Sequence, residues 1–331
     1  MNSHHLWWII LPVFFLYGCK DQPGSQQPVS DELPLNVKRY EGTPPVAYSL
    51  LGEPLYRKDG DPASERRKDS LLFDAQGKYF DDSDDMDNII WYGRRMAYKD
   101  YHNEAIAMFT EGLEKHPNSP ELYRHRGHRY ITTRRFNMAL LDFKKAAELV
   151  SGRKAQIEPD GIPNKINQPL STLQFNIFYH LGLAHYLLAE YEQALDAYEK
   201  CMSYSNNDDL LVATADWLYL TLMKLDRQDQ ALDLLKKIKS NMNIVENDAY
   251  HKRLLVYKGE LDPEQFIDLS QQSNDPLKVV TMGYGLANHY LFKGNKARYL
   301  DLLEDIINTG YWAAFGYIAA EADLQRIRTG S

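Results

Sequence analysis

The chain passes from an apolar beginning, through a polar segment, to a long region with apolar positions at helical spacing. Its first stretch, MNSHHLWWIILPVFFLYGC, is apolar from Leu6 to Tyr17. That length is too short for a membrane-spanning helix, which needs roughly 20 residues. The pattern predicts a secretory signal peptide at 1–18, followed at 19–40 by a flexible tether rich in Pro, Ser, Gln and Asp. Over 41–85, apolar clusters interrupted by prolines predict an irregular strap.

Helical spacing extends over residues 86–325, and its first two units repeat with a period of 34 residues. Gly93 and Gly127 are 34 residues apart, and so are Ala105 and Ala139. A fixed period of this length is typical of a repeated helix hairpin. Small residues allow two antiparallel helices to approach closely, while aromatic residues fill the space between successive pairs. The pattern therefore predicts an all-α region.

The second unit carries the most complete version of the pattern. It reads Tyr123-x2-Arg126-Gly127-x2-Tyr130, followed by Phe136, Ala139, Phe143 and Ala146. This spacing resembles the tetratricopeptide repeat (TPR), in which W-x2-L-G-x2-Y precedes A-x3-F. The resemblance implies a right-handed superhelical solenoid with a concave groove. Its clear units are 86–119, 120–150 and 175–207, its weaker units are 212–245, 248–272 and 278–325, and an inserted loop occupies 151–171.

The resemblance also implies candidate binding residues, because particular positions of each TPR unit line the groove. The candidates are Arg94, Tyr98, Arg124, His128, Tyr179, Tyr186 and Asp216. The two arginines and His128 would orient an acidic group, and the three tyrosines would supply apolar contact. A second interpretation stays open, in which the arginines pair with Asp87 and Glu121 on a solvated face.

Two cysteines bear on the location of the protein. Leu16-Tyr17-Gly18-Cys19 resembles the bacterial lipobox, which implies that Cys19 is lipidated and becomes the first mature residue. The alternative is an ordinary signal peptide that contains a cysteine. The other cysteine, Cys201, occupies a small-residue position and is expected to be a buried space-filler. The interpretation predicts a membrane-anchored lipoprotein of the bacterial cell envelope, periplasmic or at the outer membrane.

Charge and motifs exclude several classes of function. A formal net charge of −8 and a pI near 5.7 argue against a nucleic-acid partner. The chain contains none of the motifs HExxH, GxSxG, GxGxxG or CxxC and no Walker loop, so we expect neither an enzyme nor a cofactor. The acidic run DDSDDMDN at 81–88 lacks the glycine and glutamate of a calcium loop, which favours helix capping.

The sequence thus predicts an exported, lipid-anchored TPR adaptor that binds another envelope protein or a peptide segment in its groove. One alternative is an envelope protein that binds a small ligand or glycan, with tyrosines stacked on a ring. The other is a metal enzyme that uses the histidines, among them His125, His128, His180 and His185.

Overall fold

The computed structural model describes residues 44–58, 60–266 and 276–330. The predicted signal peptide, tether and lipidated Cys19 lie outside the described residues. A short antiparallel hairpin is formed by β1 (Ala47–Tyr48) and β2 (Pro54–Leu55), with Ala47 opposite Leu55. None of the described helices is long and apolar enough to cross a membrane.

Helices make up most of the described chain. They are α1 (Pro62–Asp81), α2 (Met86–Ala97), α3 (His102–Lys115), α4 (Pro120–Thr132), α5 (Phe136–Val150), α6 (Leu173–Leu187), α7 (Tyr191–Met202), α8 (Asp208–Lys224), α9 (Gln228–Leu235), α10 (Asp248–Lys258), α11 (Pro276–Phe292), α12 (Lys296–Asn308) and α13 (Phe315–Thr329). From α1 to α9 each helix packs against the next, and α2, α4, α6 and α8 also contact one another in that order. The predicted all-α fold of TPR-like hairpins is confirmed.

A close approach of glycine to an aromatic ring sets the distance between the helices of a hairpin. A Cβ added to Gly93 in α2 would lie 2.4 Å from the ring of Phe109 in α3. The same contact, with the aromatic residue sixteen positions later, recurs at Gly127 with Phe143 and at Gly182 with Tyr198. The small-residue positions of the repeat are therefore explained by steric contact.

This contact gives a testable prediction for the first hairpin. Gly93→Ala is expected to lower the free energy of unfolding by about 1–3 kcal/mol, because the added methyl group overpacks the helix interface. The control is Gly77→Ala in α1, where an added Cβ meets no atom within 4 Å. Better helix propensity should make that change neutral or stabilising, by at most about 1 kcal/mol. Urea denaturation of both variants tests the prediction, and equal effects would contradict it.

The hairpin turns share one backbone conformation. In each, the residue two positions before the second helix has a left-handed backbone, with φ from 58° to 80°. These residues are Asp100, Arg134, Ala189, Asp226 and Gly294. Only the last of the five is glycine, so the turns carry little signal in the sequence.

The prediction of an irregular strap was wrong for the second half of 41–85, where α1 forms a 20-residue helix. The Asp61 side chain accepts a hydrogen bond from Ser64 N, and Pro62 occupies the first turn, which is a strong combination for starting a helix. Ala75 and Tyr79 are the buried positions of α1 and pack in the core of the first hairpin. The apolar stripe of α1 is narrow, so its sequence carries only a weak helical periodicity.

Asp85, within the acidic run, caps α2 as predicted. Its side chain accepts a hydrogen bond from Asn88 N, while Asp82 accepts from the backbone amides of Asp84 and Asp85. In the described part of the chain, no three His, Cys, Asp or Glu side chains are placed to hold a metal ion.

The C-terminal helices do not simply continue the stack. Helix α10 packs on α8 and α11, and α13 packs on α11, α12 and also α6. Arg134, in the turn of the second hairpin, forms a buried ion pair with Glu321 of α13, with 2.9 Å between Nε and Oε2. Arg326 of α13 donates a hydrogen bond to the carbonyl oxygen of Leu187 at 3.0 Å. The end of the chain is thus folded back onto the second and third hairpins.

Candidate functional site

A cavity of about 210 Å³ lies between α2, α4 and the inserted loop. Four of the predicted binding residues line it, namely Arg94, Tyr98, Arg124 and His128. The loop contributes Glu158, Pro159, Asp160 and Gly161 to its wall. The structure therefore brings the predicted basic residues together, but beneath a loop rather than in an open groove.

Arg124 is a buried cation of the cavity. Its Nη2 lies 3.0 Å from Glu158 Oε1, and its Nη1 donates to His125 Nδ1 at 2.9 Å. The remaining donor, Nε, is buried and has no hydrogen-bond partner among the described residues. Glu158 uses its second oxygen, Oε2, to accept from Asn176 at 3.0 Å. The pairing of Arg124 with Asp87 or Glu121 that sequence reasoning left open is replaced by a partner from the loop.

Two further arginines face the cavity without an acidic partner. Arg94 donates to the carbonyl oxygen of Pro159 at 2.9 Å, and its guanidinium lies over the ring of Trp91. Burial lowers the pKa of Arg129 to about 10, so its side chain is still a cation at neutral pH. Within the described residues, no carboxylate lies within 4.0 Å of the guanidinium of Arg94 or Arg129.

The cavity therefore carries an excess of positive charge. Three arginines face one paired carboxylate, Glu158, and a second carboxyl group, Asp160, whose pKa is raised by burial. Unpaired cations in a poorly hydrated site attract anions strongly, and guanidinium groups suit oxyanions because they donate several hydrogen bonds in one plane.

His125 and His128 form a neutral part of the wall of the same cavity, and the ring of His180 packs beside that of His128. Burial, assisted by the neighbouring Arg124, lowers the pKa of His180 to about 3, and burial likewise lowers the pKa of His125 and His128 well below the usual value. The His128 ring lies 4.6 Å from that of His180 and 5.3 Å from Phe315 of α13, between ring centroids. His128 thus lines the cavity as an uncharged ring.

The predictions for Tyr179, Tyr186 and Asp216 were wrong, because the structure places all three in the core. The Tyr179 hydroxyl accepts a hydrogen bond from Trp217 Nε1 at 2.8 Å. The other two contact C-terminal helices: the Tyr186 hydroxyl lies 3.0 Å from that of Tyr284 in α11, and Asp216 forms an ion pair with Arg253 of α10.

The physical reason for this correction is that α10, α11 and α13 cover the face that the TPR positions would leave open. The groove positions of the TPR family come from open arrays. In this protein the residues at three of those positions are covered by other helices of the same chain. Sequence reasoning also missed Arg129 and Glu158. Arg129 is not at a groove position of the family. Glu158 lies in an irregular loop, so no periodic pattern predicts its contact with α4.

Comparison with known proteins gives similarity at the level of fold. No protein-family profile matches the sequence, and no curated protein is significantly similar to it. Among solved structures, YrrB, described as a TPR protein with an unusual peptide-binding site, is 16% identical, with 71% of this chain and 91% of that chain covered and a TM-score of 0.39. MamA is 17% identical, with 54% of this chain and 94% of that chain covered and a TM-score of 0.41.

A third similar structure is the Cut9–Hcn1 hetero-tetramer of the APC/C, at 13% identity, 73% coverage of this chain, 40% of that chain and a TM-score of 0.43. Similarity at these TM-scores carries no argument, so the fold follows from the geometry of this chain's own hairpins. Its hairpins, with glycine against an aromatic ring sixteen residues later and one shared turn conformation, are those of a TPR-like helical repeat.

Proposed function

We propose that this protein is an exported, lipid-anchored interaction scaffold of the bacterial cell envelope that binds an acidic segment of another envelope protein or peptide. An acidic side chain of that segment enters the cavity and is held by Arg94, Arg124 and Arg129. The observation that carries the proposal is the excess of arginine over acid around one cavity. Its volume of about 210 Å³ suits a side chain better than a whole cofactor or glycan, since sites for such ligands usually exceed about 300 Å³.

Removal of Arg129, one of the two arginines without an acidic partner, is expected to weaken this binding. With a fluorescein-labelled hexaglutamate peptide as the probe, Arg129→Gln should raise the Kd about tenfold or more, because a charge-assisted hydrogen bond is lost. The measurement is fluorescence anisotropy at fixed ionic strength, since the affinity of exposed charges depends on salt.

The matched control is Arg227→Gln, which removes an arginine that pairs with Glu192 at the protein surface. It should leave the Kd unchanged within about twofold, because exposed ion pairs contribute little. A hexaglutamine peptide that binds as tightly as hexaglutamate, or an unchanged Kd for Arg129→Gln, would contradict the proposed function.

The anchor is tested separately. Cys19→Ala is expected to move the protein from the membrane fraction to the soluble fraction of the producing bacterium, because lipid chains on that residue are the proposed means of attachment. The matched control is Cys201→Ala, which should stay with the membrane. Cys201 is fully buried, as predicted, and burial raises the pKa of its thiol to about 12, so it is no site for modification. Membrane association of Cys19→Ala would refute lipidation.

A further inference from the structure

The segment 158–161 of the inserted loop is held against α2 and α4 by three arginines in succession. Arg124 contacts the Glu158 carboxylate at 3.0 Å, Arg94 donates to the carbonyl oxygen of Pro159 at 2.9 Å, and Arg95 donates to that of Gly161 at 3.0 Å. Two of these arginines also line the cavity. The groups that would bind a ligand are therefore the groups that hold the loop.

Glu158 uses only one of the two Arg124 donors, Nε and Nη2, that can bind a carboxylate together. Nε–H and Nη2–H of an arginine point in the same direction and can bind both oxygens of one carboxylate. Here Nη2 meets Glu158 Oε1, while Nε is buried without a partner among the described residues. The other Glu158 oxygen is turned toward Asn176. A carboxylate that approached Arg124 along its edge would gain a hydrogen bond that Glu158 does not make.

The base of the loop is fixed independently of these arginines. Glu158 N donates to the carbonyl oxygen of Ser171 at 3.1 Å, and Leu173 N donates to that of Gln156 at 2.8 Å. Farther along the loop, the Asn164 side chain donates to Glu246 Oε1 at 2.5 Å. The loop can thus stay attached at both sides while the Glu158 side chain and residues 159–161 move.

We infer that Glu158 is an internal substitute for the partner's acidic side chain, and that segment 158–161 is a lid which opens when that side chain replaces Glu158 on Arg124. The inference rests on the proposed function and adds its regulation. In the free protein the lid lowers the apparent affinity, because only the open fraction binds. A partner of sufficient acidity and the correct geometry displaces Glu158, whereas a weakly acidic surface does not.

Gly161 provides a way to open the lid without changing any charge. A Cβ at this position would lie 1.5 Å from the Tyr98 hydroxyl oxygen and 2.8 Å from Arg94 Nη2. Gly161→Ala therefore loosens the contact between the tip of the loop and α2, because the loop or the ends of the Tyr98 and Arg94 side chains must move, while Glu158 and all three arginines are retained.

The test compares the Kd of the full-length chain for the labelled hexaglutamate peptide among four proteins. Glu158→Gln and Gly161→Ala are each expected to lower the Kd about tenfold relative to the wild type, which corresponds to a lid closed about nine-tenths of the time. Asp160→Asn removes one negative charge from the same wall without touching Arg124, so its gain should be clearly smaller. Thermal melting establishes that each variant is folded. If Glu158→Gln does not fold, the Kd of Gly161→Ala alone tests whether the lid lowers the affinity.

Two results would overturn the inference while the proposed function survives. In the first, the wild type binds the peptide, and Glu158→Gln and Gly161→Ala bind it with the same affinity or more weakly. The other is an equal gain for Asp160→Asn and Glu158→Gln together with no gain for Gly161→Ala, which would show a general charge effect. If none of the four proteins binds the probe, the proposed function itself fails.

Discussion

Arg253→Met is expected to lower the free energy of unfolding by about 3–5 kcal/mol, because it leaves the Asp216 carboxyl group buried without its cation. Arg253 Nη2 lies 2.7 Å from Asp216 Oδ2, and both side chains are fully inaccessible to solvent. Arg253 Nη1 also donates to the carbonyl oxygen of Thr281 at 3.2 Å, so the change removes this hydrogen bond as well. Urea denaturation followed by circular dichroism measures the change.

The double variant Asp216→Leu with Arg253→Met is the control for this result. With both charges gone, no isolated ion is left in the core, so much of the lost stability should return. A double variant as unstable as the sum of the two single changes would contradict the assignment of the effect to the unpaired charge.

Acid is expected to destabilise the protein, and His180 alone should account for about 2–3 kcal/mol between pH 7 and pH 4.5. In the folded chain, burial and then Arg124 lower the pKa of His180 to about 3, from a usual value of 6.5. The unfolded chain therefore binds more protons than the folded chain throughout this interval. The contribution of His180 to the free energy of unfolding is therefore fully present above pH 6.5 and is lost as the pH falls toward 3.

The measurement is the free energy of unfolding at several pH values for the wild type and for His180→Phe. Phenylalanine keeps an aromatic ring beside Phe143, whose ring centroid lies 5.7 Å from that of His180, and it does not titrate. The variant should lose stability less steeply on acidification, while the remaining slope comes from groups such as His125 and His128, whose pKa values are also lowered by burial. Parallel pH curves for the two proteins would refute the prediction.

The fold of the repeats could be predicted from the sequence because each hairpin depends on local spacing. A glycine such as Gly127 and the aromatic ring that covers it, Phe143, are only sixteen residues apart, and both are visible in the pattern. The hairpin turns were not predictable in the same way. Residues such as Arg134 and Ala189 adopt a left-handed backbone there without being glycine, asparagine or proline.

The candidate site could be predicted only in part, because it depends on contacts between distant segments. Arg94 and Arg124 come from neighbouring repeats, so the 34-residue period was enough to bring them together. Glu158 comes from an irregular loop, and nothing periodic connects it to Arg124. The exclusion of Tyr186 from the site depends on Tyr284, 98 residues later, and such long-range closure is invisible in local patterns.

The ion pair between Arg134 and Glu321 joins positions 187 residues apart, in a turn and a helix that a linear array of hairpins would keep separate. Open arrays tolerate the gain or loss of a whole unit, since each unit contacts only its neighbours. In this protein an added or deleted unit between the second hairpin and α13 would change the distance between Arg134 and Glu321 and break their contact. The number of repeats is therefore fixed by geometry, and divergence should proceed by substitution and loop change rather than by duplication.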